Sequence, residues 1–277
     1  MKRSFAIGAL SDTGNLKKIN QDRIFVKIGE DKYGEFGIFM VADGLGGLAA
    51  GDEASRIAVK ECKKWWDIEL SDIFRSDYDI DVKIIGDKLT ALIKHINAMI
   101  INYSQSINDM SGTTISLLFI YRDKYLVRHV GDSRIYKIRG SRMALLTQDH
   151  SWVASQIKQG NMTPVQARNH PRRNVLMQCI GTKADIEIFE AMGYVDKHDI
   201  FMICSDGFYN LLDEQEILTA LKCGGGEKEI QIAVCELMEK VKSRGAADNA
   251  SVILVYQNYN RSQEGFFSKL RLILGMN

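Results

Sequence analysis

The chain has 277 residues, 45% of them hydrophobic and 26% charged, with a formal net charge of +1 at pH 7. That is the composition of a globular chain with a sizeable core, and near-neutrality argues against a polyanion binder, whose affinity rests on many unbalanced lysines and arginines. No run approaches the roughly 20 apolar residues of a membrane span.

Five cysteines (Cys62, Cys179, Cys204, Cys223, Cys235) are odd in number, never form CxxC and lack histidines at zinc-ligand spacing. They read as reduced, partly buried thiols. Met1-Lys2-Arg3 followed by an apolar run resembles a signal peptide only faintly, because Asp12 ends the run and no cleavage site follows. A cytoplasmic protein is expected.

In chain order, strands are predicted at 4–10, 23–28 and 35–42, where β-branched and aromatic residues are bounded by Asp and Gly. Residues 43–51 read as a glycine-rich turn. Helical patterns follow at about 52–70 and 82–107; in the second, Leu89, Leu92, Ile93, Ile96, Met99 and Ile100 form one apolar face. Strands resume at 113–121, 124–130 and 133–139. Residues 148–181 turn polar, with a short helix and loop at 161–170. Strands near 186–191 and 200–204, helices at 214–222 and 228–243 and a strand at 251–256 complete the pattern. Strands in runs and helices in pairs indicate an α+β architecture. Only Pro164 and Pro171 occur, with no linker and no repeat, so one domain is the simplest organisation.

Five aspartates stand at strand edges: Asp22, Asp43, Asp132, Asp206 and Asp248. Singly, each fits an ordinary turn, since aspartate bonds to nearby backbone beside glycine. Together they are harder to dismiss: strand ends of a sandwich converge on a rim, where carboxylates repel unless cations neutralise them. Oxygen ligands without Cys or His favour magnesium or manganese over zinc. The residues thus point to a divalent-metal site without identifying a reaction.

The order of motifs supplies more. Ser11-Asp12-Thr13-Gly14 runs to Asn20-Gln21-Asp22, then come Val41-Ala42-Asp43-Gly44-Leu45-Gly46-Gly47, Ser111-Gly112-Thr113-Thr114 and Val130-Gly131-Asp132-Ser133-Arg134. Leu146-Thr147-Gln148-Asp149-His150-Ser151, Cys204-Ser205-Asp206-Gly207 and Ala247-Asp248-Asn249-Ala250-Ser251 follow. In this sequence the chain resembles the metal-dependent protein phosphatases of type 2C, in their compact bacterial branch, over about residues 4–256. The resemblance implies a four-layer αββα sandwich of two antiparallel sheets flanked by helices, with a catalytic domain over 1–257, a flap at about 151–181 and a tail at 258–277. It implies Mn2+ or Mg2+, two in the catalytic centre and a third, weaker one. Carried over, Asp43 looks like the bridging carboxylate, Asp206 and Asp248 like further ligands of the first metal, and these three like the catalytic set. Asp22 and the Gly44 carbonyl look like contacts of the second metal, and Asp132 with Asp206 like those of the third.

Three departures stand out. Gln21 replaces a frequent glutamate, and Leu45 stands where animal members carry a histidine thought to protonate the leaving group. Lys17 occupies the place of a phosphate-gripping arginine, keeping the charge but losing the bidentate fork. In the flap, Arg168 and His170, with Arg172 and Arg173, are candidates for contacting a phosphopeptide or moving with the third metal. Arg134 reads as a structural ion-pair partner. The tail around 266–274 patterns as an amphipathic helix, docked on its own domain or, alternatively, on a membrane surface or partner.

The resemblance implies a monomeric serine/threonine phosphatase acting on phosphorylated proteins, the substrates of a cytoplasmic kinase, with no nucleic-acid partner and no transmembrane segment. Two alternatives stay open at this point: a catalytically weak phosphoprotein-binding module, suggested by Lys17 and Gln21, and a metal-binding structural domain.

Overall fold

Strands that are apolar on both faces set the architecture. In residues 38–42, Ile38, Met40 and Ala42 face one way and Phe39 and Val41 the other, and all five are fully buried. Such a strand must be covered on both sides. The computed structural model describes residues 3–46, 50–75 and 80–258.

Strands β1 (Ser4–Asp12), β2 (Arg23–Asp31), β3 (Gly34–Ala42) and a short β4 (Gly44–Gly46) lead into helix α1 (Ala50–Trp65). A π turn (Trp66–Leu70), α2 (Ser71–Arg75) and α3 (Val82–Ile107) follow. Next come β5 (Ser111–Thr113), β6 (Ile115–Tyr121), β7 (Lys124–Val130), β8 (Arg134–Arg139) and β9 (Arg142–Leu145). The flap carries α4 (Trp152–Lys158) and α5 (Pro164–Arg168). The chain returns through β10 (Phe189–Tyr194), β11 (Ile200–Cys204), α6 (Asp206–Tyr209), α7 (Glu214–Ala220), α8 (Glu227–Ser243) and β12 (Ala250–Asn258).

One sheet has the order β1-β12-β11-β8-β9 and the other β10-β7-β6-β3-β2, and their ladders are antiparallel. Their inner faces meet through Phe5, Phe39, Leu118, Val127, Phe201, Ile203 and Ile253. On the second sheet, Ile38, Met40, Leu117 and Phe119 pack beneath α1 and α3 through Cys62, Trp65, Leu89, Ile93 and Ile96. On the first, Met202, Cys204, Val252 and Leu254 pack beneath α7 and α8 through Ile217, Ile230, Val234 and Leu237. The layers run αββα, as the resemblance implies, with three apolar interfaces.

The departures from the sequence-based expectations have local causes. The predicted helix over 52–70 ends at Trp65 and continues as a π turn; Trp65 and Leu70, both 2% exposed, are five residues apart, the repeat that a π turn brings to one face. The expected strand over 113–121 breaks at Thr114, which turns to bond Asp43. The expected turn over 43–51 contains β4, paired with β5. The strand expected at 186–191 begins only at Phe189, because Ile186 and Ile188 pack into the helix-side core first. Helix α4, capped by the Ser151 hydroxyl accepting from Ala154 N (3.2 Å), was not expected from the sequence, nor was the exposed hairpin strand β9. Among the described residues no helix is long and apolar enough to cross a membrane. The expected amphipathic helix at 266–274 lies outside the described residues.

Asp199, wholly buried ahead of β11, ties strands of the first sheet together. It accepts from Arg139 Nε (2.6 Å) and Nη2 (3.0 Å), from the Asp196 N–H (2.7 Å), and pairs with Lys137 Nζ (3.0 Å). The cations and the backbone donor outweigh burial and hold its carboxyl below the usual carboxylate range. Asp199→Ala is expected to cost about 2–3 kcal/mol in urea unfolding, below the full cost of breaking a buried pair because Arg139 stays half-exposed and solvated. A depressed folded pKa stabilises above the unfolded value, about pH 4, and this contribution is lost as pH falls through the folded value. The difference between wild type and variant should therefore be constant near neutrality and shrink in acid.

Candidate metal centre

Strands β3 and β11 deliver their aspartates through tight Asp-Gly turns. A Cβ on Gly44 would lie 2.3 Å from the Gly51 carbonyl oxygen, and one on Gly207 would lie 2.1 Å from the Asn249 carbonyl oxygen. Both obstructions are backbone, so glycine is required at each position. Asp43 is fixed through its main chain. Its N–H donates to Thr114 Oγ1 (3.0 Å), and its carbonyl accepts from Thr114 N (2.8 Å) and Thr113 Oγ1 (2.9 Å).

Asp206 opens α6, directly after Ser205. Asp248 precedes β12 beside Asn249, whose Nδ2 donates to Thr13 O (2.8 Å) and Ile19 O (3.1 Å) while its Oδ1 accepts from Gln21 N (2.9 Å). One amide thus gathers the β1–β2 loop onto the start of β12. Asp132 sits in the turn after β7, where its carbonyl accepts from the Tyr209 hydroxyl (3.1 Å).

Asp43, Asp132, Asp206 and Asp248, with Gly44 and Lys17, line one cleft of about 190 Å³. Gln21, Leu45, Asn174 and Leu176 complete its wall, and no histidine is among the described residues lining it. Asp22 stands behind the wall rather than in it, 1% exposed, with Oδ2 accepting from the Ser205 hydroxyl (2.7 Å). Its Oδ1 is buried without a hydrogen-bond partner.

Burial and mutual repulsion act together on these groups. The Asp22 carboxyl is pushed up to about 6, chiefly by burial and partly offset by the Ser205 hydroxyl. Burial, then Asp206, pushes Asp132 up to about 8. Burial, then Asp248, raises Asp206, and Asp43 lies well above the usual range through burial and the charge of Asp22. The opposing charge is Lys17, whose Nζ lies 2.8 Å from Asp248 Oδ1; that bond raises the lysine's pKa.

An orphaned buried carboxylate oxygen and four crowded carboxylates, with a backbone carbonyl beside them, suit hard divalent cations. Among the described residues no three His, Cys, Asp or Glu side chains close around a single ion.

The flap approaches this cleft through residues the sequence did not single out. Asn174 and Leu176 reach the wall, whereas Arg168 is exposed at the end of α5 and His170 stacks on Trp152 (centroids 4.8 Å apart). Neither Arg168 nor His170 lines the cleft. Arg134 forms the expected ion pair: its Nη2 lies 2.7 Å from Asp149 Oδ2, and its guanidinium lies over the Tyr209 ring (4.0 Å). Tyr209, Asn249 and Ser205 also went unnoticed in the sequence; the one signal was their place beside motif aspartates.

Comparison with known proteins places this geometry. The sequence profile described as Protein phosphatase 2C matches residues 16–223. The serine/threonine phosphatase stp of Listeria innocua is 30% identical over 250 residues, 90% of this chain and 94% of that protein. The solved serine/threonine phosphatase of S. agalactiae superposes with a TM-score of 0.79 at 32% identity, covering 91% of this chain and 99% of that one. The catalytic domain of the serine/threonine protein phosphatase PstP, solved with two manganese ions, shares the fold at a TM-score of 0.75 and 23% identity, covering 93% of this chain and 100% of that one. Profile, sequence and fold agree over nearly the whole described chain: it belongs to the protein phosphatase 2C family.

Proposed function

We propose that the chain is a metal-dependent serine/threonine protein phosphatase that hydrolyses phosphoserine and phosphothreonine in proteins. The observation that carries the reading is the gathering of Asp43, Asp132, Asp206 and Asp248 on one cleft, with Asp22 behind it holding an unpartnered buried oxygen. Names of relatives support it, as does the manganese pair in the PstP structure. Mn2+ or Mg2+ suits the donor set.

In this reading Asp43, Asp206 and Asp248 would hold the first cation, and Asp43, Asp22 and the Gly44 carbonyl would hold the second. Asp132 and Asp206 serve a third, weaker one. When bound, the two principal cations supply an activated water nucleophile and neutralise charge on the phosphoryl oxygens. The chain's own residues do the rest. Thr113 and Thr114 clamp the Asp43 backbone, so its carboxylate would receive the cations without reorganising. Lys17 presents an ammonium to the phosphate from the loop before β2. Leu45 and Leu176 narrow solvent access to the cleft. With leucine at 45, that position supplies no proton to the departing alkoxide, which would take it from water or from another group. A monomer acting in the cytoplasm on the products of a protein kinase completes the proposal.

Manganese-dependent hydrolysis of p-nitrophenyl phosphate tests it. Asp43→Asn and Asp206→Asn should each lower kcat by about 10²-fold or more, since even outer partners of metal ligands cost 10–100-fold. Calorimetry should show the same variants losing manganese affinity. Purified wild-type protein inert at millimolar manganese would sink the assignment.

Stability gives an independent check. Asp132→Asn removes the cost of burying an ionisable carboxyl, which burial and then Asp206 disfavour in its charged form. In chelator its melting temperature should rise by about 2–4 °C, the equivalent of about 1 kcal/mol in a domain of this size. A fall would show that Asp132 is stabilised by its surroundings rather than crowded by them.

A further inference from the structure

Charge is unevenly distributed along this chain. Between Asp149 and Asp185 it carries Lys158, Arg168, Arg172, Arg173 and Lys183 and no Asp or Glu, although the whole chain is only +1. The remainder is therefore net negative. Four of these cations lie in the flap and Lys183 just beyond it, and all five are exposed. None of the five has a carboxylate partner among the described residues.

The flap's geometry turns this charge into a surface beside the cleft. Trp152 accepts the His170 ring on its face (4.8 Å, 31°) and the Arg172 guanidinium (5.3 Å from the ring centroid). The turn is closed by Arg172 N donating to His170 Nδ1 (3.1 Å), Arg173 N to the His170 carbonyl (3.0 Å) and Val175 N to the Arg172 carbonyl (3.1 Å). Trp152 N donates to the Val175 carbonyl (2.8 Å), and Ser151 bridges Leu176, seating the segment on the root of α4. Arg172 and Arg173 are thus held on an ordered turn immediately before Asn174 and Leu176, which form the cleft wall. A guanidinium stacked on an aromatic face is pre-oriented for a carboxylate and loses little freedom on pairing.

We propose that Arg172 and Arg173 make the flap a docking surface for acidic segments of the substrate, selecting phosphorylated residues that have Asp or Glu within about three positions. Three extended residues span roughly 10 Å, so an acidic side chain that close in sequence to the phosphorylated residue stays near the cleft and its wall. The proposal rests on the phosphatase reading and names the substrate class of that same cleft. Exposed ion pairs contribute modestly and are screened by salt, so the effect expected is selectivity of about five- to tenfold rather than an all-or-none requirement.

Two labelled phosphothreonine peptides, identical except for Glu or Gln at the flanking positions, test this by fluorescence anisotropy and by kcat/KM with manganese. At about 50 mM salt the Glu peptide should bind about five- to tenfold more tightly, with the gain in KM rather than kcat. The ratio should approach one at about 500 mM salt and in the Arg172→Gln/Arg173→Gln variant, survive in Arg172→Lys/Arg173→Lys, and invert in Arg173→Glu. Equal binding of the two peptides to the wild type would overturn the proposal. So would a ratio unchanged by the double glutamine variant, or equal binding together with retention on anionic vesicles. Hydrolysis of p-nitrophenyl phosphate separates the two readings: peptide discrimination without any turnover removes the phosphatase assignment and leaves the acidic docking surface standing.

Discussion

Buried negative charges held close together are the constraint around which this molecule is arranged. Taking a carboxylate out of water beside other carboxylates opposes folding, and here Asp43, Asp132 and Asp206 are displaced upward by burial and by one another. Such an arrangement persists only where the surroundings over-determine it. The threonine clamp on the Asp43 backbone, the glycine contacts at Gly44 and Gly207 and the β1–β2 loop gathered by Asn249 all act on main chain rather than on carboxylate oxygens. The side chains are thereby positioned without being neutralised, which leaves their charge available to cations.

The rigidity behind those loops comes from the two-sided strands. β3 is covered by helices on one face and by the opposing sheet on the other, so Asp43 projects from the end of an element that cannot slide without exposing Phe39 or Met40. A slip of one residue would exchange its two faces. β11 stands in the same position in the other sheet, with Phe201 and Ile203 inward and Met202 and Cys204 toward the helices. The two principal Asp-Gly turns therefore hang from heavily buried strands, one in each sheet. The site is placed by packing first and by polar contacts second.

This division explains what was legible in the sequence. Apolar runs such as Ile38 to Ala42 and Ile200 to Cys204 announce buried strands, and an aspartate after each is visible as the point where burial stops. α3 matched its expected span because its periodic apolar face is long and uninterrupted. What stayed hidden depends on partners far away in the chain. Nothing local to Asn249 reveals that it binds Gln21 across 228 positions, or that Ser205 donates to Asp22 across 183. Thr114 reads as strand, yet its hydroxyl and amide are used on Asp43. In the flap, the resemblance drew attention to Arg168 and His170, but the cleft wall is formed by the plain residues Asn174 and Leu176.

Lys17 joins the electrostatics of the metal centre to that of the substrate. It is the one basic residue among the described residues lining the cleft, and its ammonium sits on Asp248 while also feeling Asp43 and Asp206. A guanidinium in the same place would seek a planar, two-point partner; an ammonium is a compact charge on a flexible stem and can exchange one oxygen for another with little reorientation. Both Lys17 and Asp248 remain partly exposed, so their pairing is screened and contributes little to stability. A weak pair of this kind is easily exchanged, and an ammonium released from Asp248 would remain in the same cleft. On the proposed reading, a lysine at this position would trade the two-point grip of a guanidinium on the phosphate for ease of transfer between two anionic partners.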